Sequence, residues 1–229
     1  MNIPIQEPFF IIFHTTYADI CIGLYQGAHA LETATIDKKN SSKSLLPTLD
    51  MLLSKHNRTL QHCAFIGAHI GPGPFTTVRV SIASVNGLAF ATQLPLVGVN
   101  GLDALLNEHQ NIPATLVAIL DAYCDDLYYA IQSGTTREMG VAPFETICNN
   151  PLIRDAIQTT WIGNGVLLNK EKIETLRNAQ ILEPLPEICS IDTIAQNALI
   201  AWQNKQHMVN QLLPLYMKSG SAIMGKRIT

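Results

Sequence analysis

The sequence predicts an α/β protein built on mixed sheets. Three observations carry that prediction: short apolar runs with period-two alternation near the start, leucines at helical spacing over residues 45–53, and a glycine-proline turn feeding a long small-and-apolar run over residues 77–93. With 229 residues, 47% hydrophobic and 14% charged, the chain can bury a sizeable core in one large or two small domains.

Residues 9–13 are continuously apolar, and after Thr15-Thr16 the residues Ala18, Ile20, Ile22 and Leu24 alternate with Asp19, Cys21, Gly23 and Tyr25. That pattern is a half-buried strand paired to the first by a hairpin. Gln26-Gly27 turns the chain, and residues 29–35 return as a third strand. Ser41 or Ser42 caps a helix carrying Leu45, Leu46, Leu49, Leu52 and Leu53, with Pro47 expected in its first turn. A strand at residues 64–68 runs into Gly71-Pro72-Gly73-Pro74, where two glycines and two prolines force a turn, and Thr76 or Thr77 is the expected cap of the next helix.

Along that helix Phe75, Val78, Ile82, Val85 and Ala89 share one face, while Val80, Ser84, Leu88 and Ala91 share another. A helix apolar nearly all round is buried on two sides. One side packs on the chain's own sheet, and a second polypeptide is the expected cover for the other.

The second half repeats the plan less clearly. Residues 115–121 read as a buried strand, 127–132 as its hairpin partner, and Ser133-Gly134 as the turn into a third. A short helix at 151–158, a strand at Trp161-Ile162, a turn at Gly163-Asn164-Gly165 and a long amphipathic helix at 191–207 follow. Glu108, His109, Gln110, Asn111 and Pro113 mark the boundary, dividing the chain into residues 1–108 and 109–229.

Net charge is −3 and the only basic pair at the end is Lys226-Arg227, so the electrostatic footprint of autonomous nucleic-acid binding is missing. Five scattered cysteines without a Cys-x-x-Cys pair read as reduced core thiols. The acidic, proline-containing start before Phe9 does not resemble a signal peptide, and no apolar run approaches the roughly 20 residues that span a bilayer, so a cytoplasmic location is expected.

The segment Gly71-Pro72-Gly73-Pro74-Phe75-Thr76-Thr77-Val78-Arg79, followed by Gly87-Leu88-Ala89 and Pro95-Leu96-Val97-Gly98-Val99, resembles the signature of the bacterial TsaB (formerly YeaZ) family. The likeness is collinear from Phe9 to about Met217. That family is the catalytically silent relative of TsaD within the glycoprotease-like, actin-like superfamily. The resemblance implies two actin-like (ribonuclease H-like) βββαβα half-domains.

It also implies a non-catalytic subunit of the tRNA N6-threonylcarbamoyladenosine machinery. Such a subunit binds and activates TsaD, helps recruit TsaE, self-associates as a homodimer when alone, and meets tRNA only through the complex. Leu45, Leu49 and Leu52 of the first helix and Val78, Ser81, Ile82 and Val85 of the second are the expected partner-binding residues. Replacing Val85 or Leu49 by Glu is expected to abolish TsaD binding and leave the fold intact.

Sites for chemistry are sparse. Gly71-Pro72-Gly73 lacks the spacing of a phosphate loop, and its prolines remove donors. Gly163 and Gly165 sit where nucleotide-binding relatives turn beside adenosine, and Asp121 ends a strand as the family's carboxylate does, so these three are the expected contacts for any nucleotide at a subunit boundary. No cofactor is expected to bind this chain tightly. His14 stands where nucleotide-hydrolysing relatives carry an acid and TsaB proteins usually keep Asp-Thr-Ser, and Tyr123 replaces a frequent arginine. Where TsaD carries the metal-binding His-Leu-Glu-Gly-His, this chain reads Gly101-Leu102-Asp103-Ala104-Leu105, so no metal ligands and no catalytic residues are expected. The alternative from another class is an actin-like ATPase or small-molecule kinase, which tight ATP-magnesium binding by the isolated chain would favour. A metal-dependent glycoprotease is a third reading, opposed by the missing ligands.

Overall fold

A computed structural model describes residues 7–206 and 208–218. In chain order its elements are β1 (Phe9–Thr15), β2 (Asp19–Gln26), β3 (His29–Asp37), α1 (Ser41–Lys55), β4 (Phe65–Gly71), α2 (Phe75–Thr92), β5 (Leu96–Asn100) and α3 (Gly101–Glu108). Then come β6 (Thr115–Asp121), β7 (Asp126–Ser133), β8 (Thr136–Pro143), α4 (Phe144–Cys148), α5 (Pro151–Arg154), β9 (Thr159–Ile162), α6 (Gly165–Glu174), β10 (Ala179–Ile181), α7 (Ile191–Gln203) and β11 (Met208–Val209).

The chain divides into two compact units, Met1–Asn100 with Ser190–Pro214, and Gly101–Cys189 with Leu215–Thr229. The first holds a sheet in the order β11-β5-β4-β1-β2-β3, the second a sheet in the order β10-β9-β6-β7-β8. In each, three antiparallel strands are followed by a helical crossover to parallel strands, β1 beside β4 and β6 beside β9. This is the expected actin-like βββαβα plan, twice over.

The division differs from the one drawn at residue 108. It falls at Asn100, and the chain returns to the first unit at Ser190. Helix α3 packs on β6 and β7, while α7 packs on β1, β4 and β5, so each helix belongs with the sheet it covers, not with the strand it follows.

In the first unit β1 is apolar on both sides because both faces of its sheet are covered. Phe9, Ile11 and Phe13 join Ile20, Ile22 and Leu24 under α1 and α2. On the opposite face Phe10 stacks between Tyr25 and Phe65, Phe65 stacks on Trp202 of α7, and the Tyr25 hydroxyl donates to Asp192 at 2.6 Å. In the second unit Val117, Ile119, Leu127, Ile131 and Trp161 form the core under the short helices α4 to α6.

Several boundaries move. Pro47 lies in the second turn of α1, at an exposed position, where it forfeits the bond to the Lys43 carbonyl. Helix α2 starts earlier than expected, with Pro74 in the cap position and no side-chain cap, so neither Thr76 nor Thr77 plays that role. Helix α5 is one turn long, α4, α6, β10 and β11 were not anticipated, and α7 stops at Gln203. The expected helix end at His207 and the Lys226-Arg227 pair lie outside the described residues.

Candidate functional site

Helices α1 and α2 lie beside one another on the first sheet, and Glu32 of β3 anchors the end of α1 through Lys55 at 2.6 Å and His56 at 2.7 Å. At 100° per residue, α2 presents two opposed stripes. Thr77, Val78, Ser81, Ile82, Val85 and Ala89 face the sheet and are buried. Thr76, Val80, Ala83, Gly87, Phe90 and Ala91 share the opposite arc, with Phe90 83% exposed. On α1, Leu45, Leu49, Leu52 and Leu53 point inward, whereas Leu46 and Met51 are 51% and 58% exposed.

This corrects the expected contact set. Leu45, Leu49, Leu52, Val78, Ser81, Ile82 and Val85 are all buried within the unit. The physical reason is packing: Leu45, Leu49, Leu52, Val78, Ile82 and Val85 fill the space over the sheet within one core cluster. The Val85→Glu and Leu49→Glu variants would therefore place a charge in the core. The outward residues that the expected set missed are Leu46, Met51, Ala83, Gly87 and Phe90. For the α2 residues among them, the signal was the second apolar stripe of Val80, Ser84, Leu88 and Ala91.

The outward face makes few polar demands. Ser84 donates its hydroxyl to the Val80 carbonyl at 2.9 Å, and Thr92 does the same to Leu88 at 2.7 Å, so both turn back on their own helix. A methyl added at Gly87 would meet nothing within 4 Å. Beside this face a groove of about 390 Å³ is lined by Leu46, Leu49, Leu53, Leu60 and Leu88, with Asp50 and Arg58 also on its wall. Arg79 lies over the exposed Phe75 ring at 3.6 Å.

Gly101, Leu102, Ala104 and Leu105 are buried in α3, and Asp103 pairs with Arg137 at 2.8 Å. Among the described residues no group of three His, Cys, Asp or Glu could hold a metal ion. His14 and His69 are buried side by side with ring centroids 5.4 Å apart. Nδ1 of His69 lies 2.9 Å from the Thr15 carbonyl, so that nitrogen carries the ring proton. Burial pushes His69 down to about 4, opposed more weakly by its hydrogen bonding to the Thr15 and Gly71 backbone; burial, then the neighbouring His69, pushes His14 down to about 3.

Gly163 has φ +98°, and a Cβ there would stand 2.2 Å from the Ile119 carbonyl oxygen; at Gly165 it would stand 3.0 Å from the same carbonyl group. Close backbone approach demands both glycines. Asn164 accepts from the Asp121 amide at 3.0 Å, and the Asp121 carboxylate accepts from the Tyr123 amide at 2.8 Å. A cleft of about 520 Å³ adjoins them, lined by Asp121, Asp125, Asp126 and Glu145 against Lys172, which is itself bonded to Glu145 at 2.7 Å. Asp126 is in turn paired with Lys218 at 2.9 Å.

A family model described as TsaD: tRNA N6-adenosine threonylcarbamoyltransferase matches residues 33–151, more than half the chain and including α1 and α2. The tRNA threonylcarbamoyladenosine biosynthesis protein TsaB of Haemophilus influenzae is 30% identical over 115 residues, 47% of this chain and 46% of that protein. The chain thus spans about half the length of that relative. The protein of the same name in Escherichia coli is 23% identical over 198 residues, 80% of this chain and 83% of that one. Among solved structures, YeaZ from Pseudomonas aeruginosa has a TM-score of 0.70 at 25% identity, covering 91% of this chain and 100% of that one. A second Pseudomonas aeruginosa structure, described as similar to peptidase YEAZ, has a TM-score of 0.74 at 23% identity over 92% and 100% of the two chains.

Two actin-like units together with the matching family model define a member of the TsaD family in the glycoprotease-like superfamily. Within that superfamily the chain belongs with the TsaB (YeaZ) proteins.

Proposed function

We propose that the chain is a non-catalytic subunit in tRNA threonylcarbamoyladenosine biosynthesis, docking on TsaD through the outward face of α1 and α2. The observation that carries this reading is the apolar stripe of Val80, Ala83, Gly87, Phe90 and Ala91, flanked by Leu46, on a chain whose core is already filled by the inward stripe. TsaD's own family model matches the stretch that contains these helices, so the partner brings an equivalent pair and the two chains meet in a quasi-symmetric four-helix contact. An interface of standard size buries about 1,200–2,000 Å². Docking favours the TsaD conformation that fits best, and the joint surface helps to hold TsaE. The same face pairs two copies of this chain when TsaD is absent, and tRNA is met only within the complex.

The test is co-purification of TsaD with the Ala83→Glu variant. Loss of TsaD from a variant that melts at the native temperature supports the reading; retention refutes it.

A further inference from the structure

Beyond the two helices, the segment after β11 is anchored to the first unit at three places. Strand β11 pairs with Leu96 and Val97 of β5. Leu212 is buried, its side chain reaching the space that a Cβ on Gly98 would need, at 2.9 Å. The Asn86 amide of α2 then grips the Leu212 backbone from both sides, donating to its carbonyl at 2.9 Å and accepting from its N–H at 2.8 Å. This bidentate grip copies one rung of a strand ladder and fixes which way the next residue faces. That residue is Leu213, and it is 72% exposed.

Asn86 lies three residues after Ala83 and four before Phe90, so it stands on the flank of the outward stripe, between that stripe and the core. Three anchors therefore serve to hold an apolar side chain in water beside a face that is itself apolar. We propose that residues 212–214 are a third element of the docking surface, with Leu213 as an apolar contact to the partner and Asn86 as the positioning residue that presents it. This rests on the docking of TsaD proposed above, and the occupant is that same partner, because the strap extends its face and does not cover it.

The test measures affinity for the cognate TsaD, self-association and thermal stability of four variants of the full chain. Leu213→Ser is expected to weaken the TsaD complex about tenfold, as loss of an apolar interface contact does, with an unchanged melting temperature. Asn86→Ala is expected to weaken it by a similar factor, and the double variant by no more than the larger single effect, because Asn86 acts through Leu213. Ala83→Glu abolishes binding independently. Native affinity in Leu213→Ser and Asn86→Ala, with binding lost in Ala83→Glu, would overturn the strap's role and leave the helix reading standing. Native affinity in all of them would overturn both. An effect of Leu213→Ser on self-association alone would assign the strap to a second copy of this chain and overturn the proposal.

Discussion

The two stripes of α2 are both apolar, yet they do opposite work. Inward, Val78, Ile82 and Val85 are branched, buried and part of the core cluster where α2 packs on β4 and β1. Outward, Ala83, Gly87 and Ala91 are small, and Phe90 stands in water. The difference teaches that shape separates a core stripe from a docking stripe when polarity does not: bulk fills a cavity, and smallness lets another helix approach.

The largest effect that sharpens this contrast comes from Val85→Glu. A carboxylate forced into the fully buried site costs about 4 kcal/mol, so the variant should melt far below native or fail to fold, as thermal denaturation followed by circular dichroism will report. Native melting would mean that the inward stripe is not core.

Acid should act next, through the imidazole pair of the same unit. His14 and His69 are held neutral, at about 3 and about 4, against an ordinary 6.5. Below 6.5 the unfolded chain takes up protons that the native one refuses, so their stability contribution is complete above 6.5 and is lost as pH falls toward 4. The slope is about 1.4 kcal/mol per pH unit for each histidine, or up to about 4 kcal/mol for the pair between pH 6.5 and 5. Urea midpoints measured across that range should fall, and His14→Phe should flatten the decline. A pH-independent midpoint would mean that the pair is not held neutral.

The outward stripe predicts small effects on the fold. Gly87→Ala should stabilise by about 0.5–1 kcal/mol, since the added methyl meets nothing and the helix loses its most flexible residue. Destabilisation would place a neighbour over Gly87. Ala83→Glu should leave folding stability within about 0.5 kcal/mol of native in the same urea titration.

Much of the architecture was legible beforehand. Alternation in β2, the continuous apolar run in β1 and the leucine spacing in α1 each reflect burial that one polypeptide's own pattern records. Helix α6 was not legible, because Leu167 and Leu168 point outward while Val166 and Ile173 point inward, which blurs its period. The choice of face on α2 failed for a related reason: with apolar residues all round, nothing in the pattern says which side meets the sheet. The C-terminal strap left no periodic trace at all, since its hold on α2 is a single side chain meeting backbone 126 residues away. At Gly163-Asn164-Gly165 the residues did forecast a tight turn, and only the nearness of the Ile119 carbonyl explains why both glycines are needed.

The central claim, that a filled core leaves this apolar helix face free to bind, is tested most directly by the mass of the complex in solution. Light scattering coupled to size-exclusion chromatography of the chain mixed with cognate TsaD should give a single heterodimer peak, and Ala83→Glu should give two separate species. A variant that still co-elutes with TsaD at heterodimer mass would contradict the account.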